Sequence, residues 1–68
     1  MSMEQLVTAI QQRIVQSKLV QQDAREGADV RRRLRIRGIV EGVLQEYGVV
    51  LDEQGLKVLV KLVVNSTR

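Results

Sequence analysis

With successive positions placed 100° apart, Ile36, Ile39, Val40, Val43, Leu44 and Tyr47 fall in one broad apolar stripe, while Arg31, Arg35, Gly38, Gly42, Gln45 and Glu46 fall opposite. A strand would need period two, so this stretch is predicted to be an amphipathic helix over 29–47. Gly48 follows it directly, a good terminator because glycine enters the left-handed region without steric penalty.

Two further segments read the same way. Ser2 and Gln5 have the spacing of a capping box, and Leu6, Val7, Ile10 and Ile14 follow at helical intervals, which predicts a first helix over 3–20. Asp52 is placed to cap a third helix over 53–65, with Glu53 in its first turn and Leu51 and Leu56 as a hydrophobic staple. Leu56, Leu59, Val60 and Val63 then recur at i, i+3, i+4 and i+7. The polar run QQDAREGAD, residues 21–29, reads as a connector. In it Asp23 with Glu26, or Asp29 alone, has the chemistry of a helix cap.

The competing reading is β. LRIR alternates, VLVKLVV is β-branched and the chain holds twelve valines, which pack well in strands. DEQG, however, lacks the Asn-Gly or Asp-Gly of a tight hairpin turn, and the caps fall where helices need them. The fold class is therefore all-α, a small three-helix bundle in a single domain spanning 1–68. Its core is expected to comprise Val40, Val43, Leu44, Leu56, Leu59, Val60 and Val63 with Ile10 and Ile14. Tyr47 is expected at the core edge, and Gly38 with Gly42 as a place for close helix approach.

Chemistry is thin in this chain. It contains no histidine and no cysteine, which removes the usual general base, the commonest metal ligand and any disulfide. The eight acidic residues are scattered without metal-binding spacing, and the five glycines form neither a dinucleotide fingerprint nor a P-loop. No enzymatic activity, cofactor or metal is expected. The longest uncharged run, residues 5–12, is far below the ~20 residues of a membrane span, and no signal-peptide pattern opens the chain. The expected location is cytoplasmic.

Charge is uneven. RRRLRIR, residues 31–37, carries five arginines, and residues 25–37 sum to +4 while the rest of the chain sums to −1. The helical angles point Arg31 and Arg35 outward as a basic ridge and set Arg32, Arg33 and Arg37 along the borders of the apolar stripe, their stems on the core edge. Arg37 is also in i, i+4 reach of Glu41. These five are the candidate partner-contact residues. Three uses are open for them: a solvated helix surface, docking to acidic protein surface, and phosphate binding. The last is disfavoured because Tyr47 is the sole aromatic residue and no base-reading motif is present.

The stretch IRGIVEGVLQEYGVVLDEQGLKVLVKLVV, residues 36–64, resembles the N-terminal region of secretion ATPases of the CpaF/TadA type, hexameric motors of tight-adherence (Flp) pilus and related type II/IV secretion systems. The matching positions are Ile36, Arg37, Ile39, Val40, Glu41, Leu44, Glu46, Gly48, Leu51, Leu59, Val60 and Val63, and LVTAIQQRIVQSKL fits the opening helix of that region. The third helix departs from the family pattern: Gly55 stands where Glu is usual, and its surface carries Lys57 and Lys61. No residue maps to a Walker motif. The resemblance implies the N-terminal domain of a larger motor, cytoplasmic and peripheral to the inner membrane. Its partners would be neighbouring subunits of the hexamer or the membrane platform. A small basic nucleic-acid-binding protein is the alternative, and a purely structural helical module the third reading.

Overall fold

The computed structural model describes residues 2–66; Met1, Thr67 and Arg68, which the expected 1–68 domain includes, lie outside the described residues. The fold is all-α, and no strand occurs among the described residues. The described residues form four helices: α1 (Met3–Gln16), α2 (Lys18–Arg25), α3 (Asp29–Glu46) and α4 (Glu53–Ser66). The expected count of three is corrected at its first member.

The break is at Ser17, whose backbone is extended (φ −83°, ψ 110°). Its N–H donates to the Ile14 carbonyl, and its Oγ accepts from the Val20 N–H at 3.3 Å. One residue thus ends α1 and caps α2. The reason lies in the apolar pattern. Leu6, Ile10 and Ile14 form the buried face of α1, but in an unbroken helix Val20 would stand about 240° around the axis from Ile14. Restarting the helix at Lys18 turns Val20 and Asp23 inward, and both are buried. The polar connector expected over residues 21–29 is therefore mostly helix.

Helix α2 closes through Gly27 at φ +70°. The Gly27 N–H donates to the Ala24 carbonyl and the Ala28 N–H to the Asp23 carbonyl, a Schellman closure that satisfies carbonyls left over at the helix end. Neither expected cap in this segment forms: Asp23 lies within α2, and Asp29 is the first residue of α3, whose N-cap Ala28 offers no side-chain bond. Gly48 repeats the motif after α3 at φ +69°, with the Val49 N–H donating to the Leu44 carbonyl at 2.8 Å.

The other termini follow the local rules. Ser2 and Gln5 exchange both bonds of the capping box. Asp52 Oδ1 accepts from the Gly55 N–H at 2.7 Å. A Cβ on residue 55 would stand 3.1 Å from that same Oδ1, so glycine gives the Asp52 cap its room.

Helix α3 is the central element and packs on the other three; α1 also meets α2 and α4. The core comprises Leu6, Ile10, Ile14, Val20, Ile36, Val40, Val43, Leu44, Leu59, Val60, Val63 and Val64, with Leu51 and Leu56 half-buried against it. Leu56 is thus less buried than expected, and Leu6, Val20, Ile36 and Val64 join the set. The valines of α4 are helical because burial outweighs propensity. Valine lowers helix stability by no more than about 0.7 kcal/mol per residue, whereas a fully buried Val side chain contributes about 1.5–3 kcal/mol, and Val60, Val63 and Val64 are all buried. Tyr47 is 44 % exposed and serves as the C-cap of α3 rather than a core-edge residue. Gly38 and Gly42 have nothing within 4 Å of where a Cβ would stand, so the expected close helix approach is not made there.

Candidate functional site

The five arginines of RRRLRIR stand on the N-terminal half of α3, between α2 and α4. An α-helix spreads residues 31–37 over almost two turns, so the run faces two different neighbours.

Toward α2, Arg35 Nε donates to Asp23 Oδ2 at 2.5 Å, and Arg31 Nη2 donates to Glu26 Oε2 at 2.9 Å, with Arg31 Nε also 4.0 Å from Asp23 Oδ1. Asp23 is only 3 % exposed. A carboxylate so far out of water must be paired, because an unpaired buried charge is costly. Both arginines are exposed, as their helical angles predict, but neither forms a free ridge: each is turned back onto an acid of its own chain. Gln22 Nε2 donates to Glu26 Oε1 at 3.0 Å and steadies that carboxylate.

Toward α4, Arg37 Nε donates to Glu41 Oε1 at 3.1 Å and its Nη2 to Glu53 Oε1 at 2.9 Å. The first is the i, i+4 contact the sequence predicts; the second bridges α3 to the first turn of α4. The Arg37 pKa is raised above its ordinary value by the hydrogen bond to Glu41, then by that to Glu53. Both acids favour the charged guanidinium.

Arg33 is exposed and Arg32 and Arg37 are half-buried, so the expected core-edge placement describes Arg32 and Arg37 better than Arg33. Arg33 stands on one rim of a groove between α3 and α4, with Lys57 and Lys61 on the other rim and Leu34, Leu56 and Val60 along the floor. No ion pair to Arg33, Lys57 or Lys61 occurs among the described residues. Leu34 is 62 % exposed in the middle of the arginine run. A second, shallower concavity continues past Arg32 to Val30 and Val64.

The sequence reading missed the roles of three residues in this region. Asp23 looked like part of a loop, although an acid twelve residues before Arg35 on an adjoining helix is what holds the arginine. Lys57 and Lys61 were legible as a basic i, i+4 column, but their convergence with Arg33 follows only from the antiparallel packing of α3 and α4, which sets Arg37 by Glu53 and Val30 by Val64.

Among the described residues no group of three or more metal-ligating side chains converges, and no helix is long and apolar enough to cross a membrane. No family model matches the sequence, and no curated protein or solved structure matches it significantly.

Proposed function

We propose that this chain is a non-catalytic protein-interaction domain. Its parent would be a hexameric pilus-assembly or secretion ATPase, and it would contact neighbouring subunits or the inner-membrane platform from the cytoplasmic side. The observation that carries the interaction reading is the α3–α4 groove, where Leu34 is left wet between unpaired cations on both rims. Exposed apolar surface rimmed by polar groups is the usual signature of a protein-binding site, and arginine suits such rims because its planar fork pairs with carboxylates. The parent assignment rests on the resemblance of residues 36–64 to the secretion-ATPase N-terminal region. Three compact helices of that region would correspond to α1, α3 and α4, with α2 as an addition between the first two.

The test has two arms. A motor-derived interaction domain binds no nucleotide itself, so amide shifts of the labelled chain stay fixed on addition of Mg-ATP, and saturable micromolar shifts overturn the non-catalytic reading. The coding sequence downstream tests the parentage: a Gly-Leu-Gly-Pro-Leu continuation leading into a RecA-like ATPase domain is expected, and a different following domain overturns it. The second reading, a small nucleic-acid-binding protein, is favoured only by the clustering of Arg33, Lys57 and Lys61. It requires sequence-independent duplex binding with Kd ~10⁻⁴–10⁻⁶ M at physiological salt and a steep salt dependence.

A further inference from the structure

Arg33, Lys57 and Lys61 converge on the α3–α4 groove with no ion pair among the described residues, and most acids of those residues are engaged elsewhere. Asp23, Glu26, Glu41, Glu46 and Glu53 are held in ion pairs, and Asp52 caps α4. Glu4, on α1, and Asp29, on α3, remain, and Asp29 lines the far end of the concavity beside Arg33 without an ion pair to it. A second copy of the chain therefore has no free acidic helix surface to offer. The complementary charge has to come from another molecule.

The groove also states the shape of its occupant. Arg33 on α3 and the i, i+4 pair Lys57 and Lys61 on α4 stand on opposite rims, and the floor is apolar and stepped, from Leu34 at 62 % exposure down to Val60 at 7 %. The concavity extends along α3 from Asp29 to Arg37, about 12 Å at 1.5 Å per residue. That length takes about two turns of a helix laid into it, with apolar anchors at i, i+3 or i+4, and i+7. A bare phosphate chain leaves such a floor uncovered, and Tyr47, the one aromatic residue, is not among the residues lining the groove. A flat bilayer meets the rims before it reaches the recessed Val60.

We infer that the α3–α4 groove docks an acidic amphipathic helix of a partner protein, its apolar side seated on Leu34, Leu56 and Val60 and its carboxylates on Arg33, Lys57 and Lys61. This rests on the interaction-domain reading above and supplies the chemistry of the partner. Electrostatic complementarity of this kind acts first on association rate and specificity, so the attraction weakens as salt shortens the Debye length.

The test titrates the ¹⁵N-labelled full chain with a synthetic helical peptide of about 16 residues, roughly 24 Å long. It carries leucines at i, i+4 and i+7 and glutamates on both flanks; a Glu→Gln version of the same peptide, a short DNA duplex and phosphatidylglycerol vesicles are run in parallel. Expected are saturable shifts confined to residues 30–37 and 56–64. Kd should rise about tenfold or more for the Gln peptide and for Lys57→Glu combined with Lys61→Glu, and severalfold for Leu34→Ala, a loss of about 1.4 kcal/mol per tenfold. All three substituted side chains are exposed, and an unchanged helical spectrum and melting curve verify that the variants fold. Equal binding of the Gln peptide, or no saturation by the Glu peptide, overturns the inference. Saturation with shifts on α1 and α2 instead overturns the groove and leaves the interaction-domain reading standing. Duplex or vesicle binding at the groove tighter than the peptide overturns both.

Discussion

The two sides of α3 use the same residue type to opposite ends. On the α2 side, Arg31 and Arg35 are drawn onto Glu26 and the buried Asp23, and the guanidinium groups become part of the structure. On the α4 side, Arg37 is paired with Glu41 and Glu53, but Arg33 meets Lys57 and Lys61 across an apolar floor with no ion pair among the described residues. Five arginines in seven positions look uniform as a string; what separates them is the charge carried by the neighbouring helix at each angle. A dense run of one charge thus says little about binding until its internal partners are subtracted, and here the subtraction leaves one rim of one groove.

The comparison breaks most completely when the core beneath both sides is lost. Leu59 is 3 % exposed, and Leu59→Ala should cost about 2–5 kcal/mol, which is most of the stability of a domain this small. Thermal or urea unfolding followed by circular dichroism should show the variant unfolded or nearly so at 25 °C, and an unshifted transition would place Leu59 outside the core.

A smaller effect separates the two sides. Arg35→Ala leaves the Asp23 carboxylate buried without its closest partner and should destabilise by about 1.5–3 kcal/mol, the range for hydrogen bonds to charged groups. Lys61→Ala should stay within about ±0.5 kcal/mol, as surface changes usually do. Urea midpoints of the two variants, with equal m-values, decide the matter; equal midpoints would mean that the Asp23–Arg35 pair is no more structural than the groove lysines. A double-mutant cycle with Asp23→Ala isolates the pairwise coupling, because the double variant removes the buried charge along with its partner.

Next comes a gain rather than a loss. Gly38 and Gly42 stand within α3 with open space around the Cβ position, so each change to Ala should stabilise by up to about 1 kcal/mol. Melting temperatures of Gly38→Ala and Gly42→Ala should rise, and a fall would reveal a requirement at these positions that the packing does not show. A slight effect is also expected at Arg37, whose bonds to Glu41 and Glu53 are exposed. Solvent and salt screen exposed pairs, so Arg37→Gln should shift the urea midpoint only slightly, and the shift should vanish in high salt.

Much of this fold was legible because its signals are local. The Ser2–Gln5 capping box, the Asp52 cap and the Gly48 terminator each depend on residues a few positions apart, and each forms as the spacing predicts. Helix α2 was not legible for the complementary reason. KLVQQDAR offers only Val20 and Asp23 to the interior, too few for a periodic signal, and the contact that fixes Asp23 lies twelve residues away on α3. The Asp29 cap failed because the Gly27 closure had already set the path into α3, with Ala28 at the cap position. The candidate site divides along the same line: the residue types were visible, but their sorting into paired and unpaired depended on which helices became neighbours.

Ser17 gives the molecule a hierarchy of opening. Because the backbone is already extended there, α2 is separated from the end of α1, and it is held by its packing on α3, by one buried valine, by the Asp23–Arg35 and Glu26–Arg31 pairs, and by contacts back to α1. Segments with few apolar contacts open at lower free energy than the whole. In native-state hydrogen exchange, α2 should behave as its own cooperative unit, exchanging ahead of α3 and α4, and salt should lower its protection while leaving theirs nearly unchanged.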